Sequence, residues 1–267
     1  MKTDYQFLKV EADHQKVLTV TLNRPELHNA FNDDFIAEMT ELFQAIKKED
    51  DIKLVLLKGE GKSFCAGADL NWMKRMKDYS DQENFLDSMR LSHLFQELNS
   101  LPMPVIASVN GATLGGGTGI VAACDYVIAA SEAKFGFTEV GLGLVPAVIS
   151  PFVMAKIGES FARAYFLSGE RFDAHEAMRM NLVHKVVKSD DLESATLKQV
   201  ERFLRAGPVA QREAKKLING VLEHTLKLDK EVHEFTCQTI ARVRTSDEGQ
   251  EGMSALLEKR KPNWSQQ

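Results

Sequence analysis

Val17-Leu18-Thr19-Val20-Thr21-Leu22 alternates apolar and polar side chains, the period of a half-buried strand, and Asn23-Arg24-Pro25 breaks it into a turn. From Asn32 the apolar residues Phe35, Ile36, Met39, Leu42, Phe43 and Ile46 recur at helical spacing, and Ile52 to Leu57 is a nearly continuous apolar run suited to a buried strand. The glycine-rich stretch from Gly59 to Asp69 reads as a loop, with Asp69 placed to cap a following helix. A long helix is expected over Asp81 to Asn99, a buried strand over Pro104 to Asn110, and a short apolar helix over about Thr118 to Cys124 that starts within the preceding glycines. Tyr126 to Ala130 reads as one more strand, and a Gly/Pro-rich loop runs on to Pro151. Asp173 with Glu176 has capping-box spacing and opens a helix through Met180. Beyond Val187 the pattern is almost purely helical, with Pro208 in a first turn and two or three charged helices reaching Lys261.

Composition narrows the function classes. A chain of 267 residues, 44% hydrophobic and 27% charged, suffices for one large core. The net charge of −5 argues against nucleic acid, whose backbone is bound by clustered Lys and Arg. Cys65, Cys124 and Cys237 lack the spacing of a disulfide framework or a metal site, and the histidines are scattered, so no metal is expected. The first residues lack the apolar core of a signal peptide and no run reaches the ~18 apolar residues of a membrane span, which predicts a cytoplasmic protein that does not cross a membrane.

The chemistry lies in two loops of glycine and alanine, near Ala66 and near Gly116, each between a strand and a helix. Such loops leave backbone N–H groups unpaired at a helix start, where the macrodipole adds positive potential, and small side chains let a ligand oxygen approach. Two such donors form an oxyanion site. Glycines also serve tight turns and close helix packing, so neither loop decides the matter alone. Gly115-Gly116-Gly117 lacks dinucleotide-binding spacing, and Ser63 and Ser108 lack a nucleophile-elbow context.

Taken in order, Asn23-Arg24-Pro25 with Asn29-Ala30, Phe64-Cys65-Ala66-Gly67-Ala68-Asp69-Leu70, Pro104-Val105-Ile106-Ala107, Asn110-Gly111, Leu114-Gly115-Gly116-Gly117, Cys124-Asp125, Phe135-Gly136, Glu139, Glu251-Gly252-Met253 and Glu258-Lys259-Arg260 resemble the crotonase, or enoyl-CoA hydratase/isomerase, family over nearly the whole chain. The resemblance implies an α/β fold, a crotonase-like spiral of ββα units over residues 1–200, followed by a C-terminal helical trimerisation region over 201–267. It also implies a homotrimer or homohexamer acting on an acyl-CoA thioester, with coenzyme A as part of the substrate and no separate cofactor. The N–H groups of Ala66 and Gly116 would form the oxyanion hole. Arg24, Leu27, Ala30, Ala66, Gly67, Ala68, Asp69, Leu70, Gly116 and Lys259 would line the substrate and coenzyme A.

The family's hydratases carry two glutamates. Glu139 matches the second, the implied catalytic residue, whereas Gly119 stands at the position of the first. Two carboxylates can hold a water between them, and one alone suffices for a 1,3-proton shuttle. With Gly119 in place, Glu139 would have to activate the water itself while ordered water or substrate fills the space beside the glycine. The loop from Gly143 to Phe152, with Asp69-Leu70-Asn71-Trp72-Met73, is similar to the subgroup named for methylglutaconyl-CoA or isohexenylglutaconyl-CoA hydratases. This implies hydration of a 2-enoyl-CoA, branched such as methylglutaconyl-CoA. An isomerase using Glu139 alone and a non-catalytic acyl-CoA-binding homologue remain the alternatives.

Overall fold

The computed structural model describes residues 4–225 and 230–262. Strand β1 (Leu8–Ala12) pairs antiparallel with β2 (Val17–Leu22), and a single 3-10 turn leads into α1 (Asp33–Ile46). Asn32 caps that helix by accepting from the Phe35 N–H, and the apolar stripe from Phe35 to Ile46 is buried as its spacing requires.

Three strand pairs follow, each ending in a helix. They are β3 (Leu54–Gly59) and β4 (Ser63–Cys65) before α2 (Leu70–Met76) and α3 (Asp81–Asn99); β5 (Val105–Val109) and β6 (Ala112–Leu114) before α4 (Gly116–Ala123); and β7 (Tyr126–Ala130) and β8 (Lys134–Gly136) before α5 (Ser150–Ser168). The first member of each pair joins a six-stranded sheet of order β1-β2-β3-β5-β7-β10, parallel apart from β1 and closed at its far edge by the strand Lys185–Val187 as β10. The second member joins a four-stranded sheet of order β4-β6-β8-β9, in which β9 (Arg171–Asp173) runs antiparallel to β8. Each ββα unit therefore steps sideways across two sheets at once, which is the expected spiral. The remaining elements are α6 (Ala174–Arg179), β10 (Lys185–Val187), α7 (Leu192–Leu204), α8 (Pro208–Thr225), α9 (Lys230–Arg244) and α10 (Asp247–Leu257).

Several boundaries differ from the sequence-based expectations. The loop expected over residues 59–69 contains β4, which is only three residues long and too short to show a period. The Gly/Pro-rich loop gives way at Ser150 to α5, where Pro151 occupies the first turn and Gly158, at φ 71°, kinks the helix. The short apolar helix starts at Gly116 rather than Thr118, two residues further into the glycine run.

The C-terminal helices fold back on the ββα core. α9 lies against α3, with Ser92 Oγ 3.2 Å from His233 Nδ1 and Arg244 Nη1 3.3 Å from Asp87 Oδ2. α10 presses on the 3-10 turn Glu139–Leu142 so closely that a Cβ on Gly252 would lie 1.8 Å from the Leu142 carbonyl oxygen. Among the described residues, no helix is long and apolar enough to cross a membrane, and no cluster of His, Cys, Asp and Glu is arranged to hold a metal ion.

Candidate active site

Phe31 pairs across to the loop after β4: its N–H donates to the Gly67 carbonyl and its carbonyl accepts from the Asp69 N–H, both at 2.7 Å. Extended backbone alternates its polar groups, so the residue between, Ala68, turns its N–H to the opposite side. Opposite stands the start of α4, where Gly116 is the first helical residue and its N–H has no intrahelical acceptor. Among the described residues neither N–H has a hydrogen-bond partner, and Ala68 and Gly116 line one cavity of about 460 Å³. The Phe31 ring sits against Gly116, where a Cβ would come within 2.6 Å of Cε2, so one residue braces both donors.

Ala66 is corrected by the same geometry. Its N–H donates to the His28 carbonyl at 3.0 Å, which takes it out of an oxyanion hole. The donor that faces Gly116 is Ala68, two residues on and on the same side of the extended backbone. The sequence shows both alanines of Ala66-Gly67-Ala68, and only the carbonyl of the distant His28 tells them apart.

Glu139 begins the 3-10 turn after β8 and reaches the same cavity. Gly115, whose φ of 51° with ψ of −120° is open only to glycine, passes so near that a Cβ on it would lie 3.3 Å from Glu139 Oε1. Among the described residues, Glu139 Oε2 is buried without a hydrogen-bond partner. Burial accordingly pushes the carboxyl up to about 7, with only a backbone hydrogen bond within its own residue opposing the shift. Such a group exchanges protons at neutral pH.

The space beside Gly119 is not open to water or substrate, contrary to expectation. A Cβ there would lie 2.4 Å from Ile149 Cγ2 and 3.0 Å from Phe95 Cε1, so apolar groups from α3 and from the residue before α5 fill the place of a second carboxylate. Among the described residues that line the cavity, Glu139 has no acidic partner.

Of the residues expected at the ligand, Ala66, Gly67, Ala68, Leu70, Gly116 and Glu139 line the cavity, and Arg24, Leu27, Ala30, Asp69 and Lys259 do not. Arg24 and Asp69 are buried against each other: Arg24 Nη2 donates to Asp69 Oδ2 at 2.9 Å and Nη1 to the Ala30 carbonyl at 2.6 Å. Their geometry is that of a brace under the Ala68 loop. Asp69 also caps α2 by accepting from the Asn71 N–H. Leu27 and Leu70 are exposed, and Lys259 is exposed beyond α10. Burial pushes the Cys65 thiol up to about 12, which leaves it protonated and inert. Sequence reasoning missed Phe31, Thr138, Arg171 and Arg244 as cavity residues. Phe31 follows the Asn29-Ala30 motif directly; for the others the sequence carries no comparable signal.

The sequence model for enoyl-CoA hydratase/isomerase matches residues 12–267. The chain belongs to the enoyl-CoA hydratase/isomerase family. A family member from Clostridium acetobutylicum, a short-chain-enoyl-CoA hydratase, is 34% identical over 248 residues, covering 92% of this chain and 93% of that protein. A mitochondrial Delta(3,5)-Delta(2,4)-dienoyl-CoA isomerase from Dictyostelium discoideum is 31% identical, covering 97% of this chain and 92% of its own. The crystal structure of an enoyl-CoA hydratase from Shewanella pealeana superposes with a TM-score of 0.79 at 37% identity, covering 97% of this chain and 96% of the other. The family places this chain among enzymes of enoyl-CoA hydration and isomerisation, with an acyl-CoA thioester as the class of substrate.

Proposed function

We propose that the protein hydrates a 2-enoyl-CoA, with Glu139 as its only carboxylate and with the thioester oxygen held by the N–H groups of Ala68 and Gly116. The observation that carries this reading is Glu139, which lines the same cavity as the two donors and whose Oε2 is buried with no hydrogen-bond partner among the described residues. Ionised Glu139 takes a proton from water as the oxygen bonds to the β-carbon, and the displaced π electrons collect on the thioester oxygen as an enolate. Two fixed N–H donors stabilise that charge, each worth ~3 kcal/mol in a water-poor site. The protonated Glu139 then returns its proton to the α-carbon, and the thioester carbonyl reforms. A carboxyl near 7 suits both transfers.

Coenzyme A enters as part of the substrate. We assign to it the exposed Leu27, Leu70 and Lys259. The acyl group is proposed to be branched, such as 3-methylglutaconyl. Val145, Pro146, Ala147 and Val148, from the loop that distinguishes this chain, give that group an apolar wall. Assembly as a trimer or hexamer is supported by the exposed Val209, Leu217 and Ile218 of α8 and Leu197 of α7.

One observation favours a second reading. The wall of Ile149 and Phe95 beside Gly119 offers a water no polar partner, as an isomerase using a single carboxylate would require. Product identification separates the two. Hydration adds a hydroxyl at the β-carbon of crotonyl-CoA or 3-methylglutaconyl-CoA and abolishes the conjugated-thioester absorbance. A 3-enoyl-CoA converted to its 2-enoyl isomer, with no hydroxyl formed from either 2-enoyl substrate, would replace the hydratase reading with the isomerase one.

A further inference from the structure

The cavity that holds Glu139 is mostly apolar, yet a guanidinium forms part of its wall. Arg244 ends α9, and its side chain is 9% exposed. The same cavity lining includes the apolar Ile240, Met253, Leu256 and Leu91. Nothing in general packing places an arginine there: a charge among apolar side chains is costly unless it is fully paired.

Arg244 is paired on one side only. Nη1 donates to Asp87 Oδ2 at 3.3 Å and to Ser88 Oγ at 3.2 Å, both long for charge-assisted bonds. Among the described residues, Nε and Nη2 have no hydrogen-bond partner. Arg24, buried outside the cavity lining, uses two nitrogens at 2.6 and 2.9 Å. The exposed Arg260 grips Glu251 in a fork at 2.6 and 2.7 Å. Burial raises the Asp87 carboxyl even with Arg244 beside it. A guanidinium in a cavity wall with two nitrogens unpartnered suits a planar anion that offers two oxygens, and at the far end of an acyl chain that anion is a carboxylate.

We infer that Arg244 receives a carboxylate at the far end of the acyl chain, so that the preferred substrates are acyl-CoA thioesters of dicarboxylic acids. The inference rests on the acyl-CoA reading of the cavity and adds a specificity determinant to it. The thioester end is held by the N–H groups of Ala68 and Gly116, the reacting carbons lie at Glu139, and the terminal carboxylate completes the donor set of Arg244. A five-carbon glutaconyl skeleton, with or without a methyl branch, belongs to this class. A simple alkyl chain offers the guanidinium no acceptor and is discriminated against for that reason.

Binding of two saturated thioesters of equal chain length tests this without turnover. By titration calorimetry, the wild-type protein should bind glutaryl-CoA about 100-fold more tightly than pentanoyl-CoA. Arg244→Met should abolish the preference while pentanoyl-CoA affinity stays within about three-fold of wild type. Should that variant fail to fold with Asp87 left alone, Arg244→Met combined with Asp87→Asn removes both buried charges and is held to the same expectation. Equal affinities in the wild type overturn the inference. So does a preference that survives Arg244→Met and disappears in Arg171→Met, which would assign the carboxylate to the other arginine of the lining. If neither thioester binds, the acyl-CoA reading fails and the inference falls with it, an outcome distinct from equal binding of both.

Discussion

Burial lifts the Glu139 carboxyl from 4.5 to about 7, so ionising it costs the folded protein what it does not cost the unfolded chain. The sign follows from the two values. Below 4.5 the group is protonated in both states and nothing is lost; between 4.5 and about 7 only the unfolded chain ionises, and stability falls; above about 7 the loss is constant. A shift of this size corresponds to about 3 kcal/mol. Glu139→Gln, which keeps the shape and removes the charge, is therefore expected to be more stable than wild type by up to about 3 kcal/mol at alkaline pH, with a gain that shrinks toward zero at acid pH. Urea unfolding across that range measures it, and a gain independent of pH would contradict the burial argument. Glu139 itself was legible in the sequence, through its place after Phe135-Gly136. Its unusual acidity was not, because that depends on what the fold packs around it.

At the scale of elements, the two donors exist because a strand-like loop and a helix start face each other. Each glycine loop shows in the sequence where backbone comes close to a ligand. Which N–H is spent and which is free depends on pairing with Phe31 and His28, residues more than thirty positions away. The same limit applies at Gly119. Its sequence shows a missing carboxylate, and only the packing of Ile149 and Phe95 shows that no room was left for one. Gly119→Ala should therefore destabilise the protein by about 1–3 kcal/mol through overpacking. A thermal-melting difference near zero would mean that Ile149 and Phe95 yield easily and that the wall beside Glu139 is soft.

Across the whole molecule, the helical C-terminal part is tied to the chemistry. α9 and α10 contribute Ile240, Arg244, Met253 and Leu256 to the cavity, and α10 meets the turn that begins at Glu139. The helices were readable from their period and from Pro208, but a helical period does not say where a helix docks. The decisive approach, Gly252 against the Leu142 carbonyl, joins positions far apart in the chain. Gly252→Ala should force α10 off that turn and lower kcat/KM by about ten-fold or more, the scale expected when a catalytic group is misplaced by a fraction of an ångström. Unchanged kinetics would show that α10 is a passive cover. The most direct test of the account follows turnover of a 2-enoyl-CoA by Glu139→Gln beside its affinity for the saturated acyl-CoA. With Glu139 as the sole acid and base, turnover should fall by about 10²–10⁴-fold while affinity is retained. A variant that still hydrates or isomerises its substrate at close to the wild-type rate would contradict it.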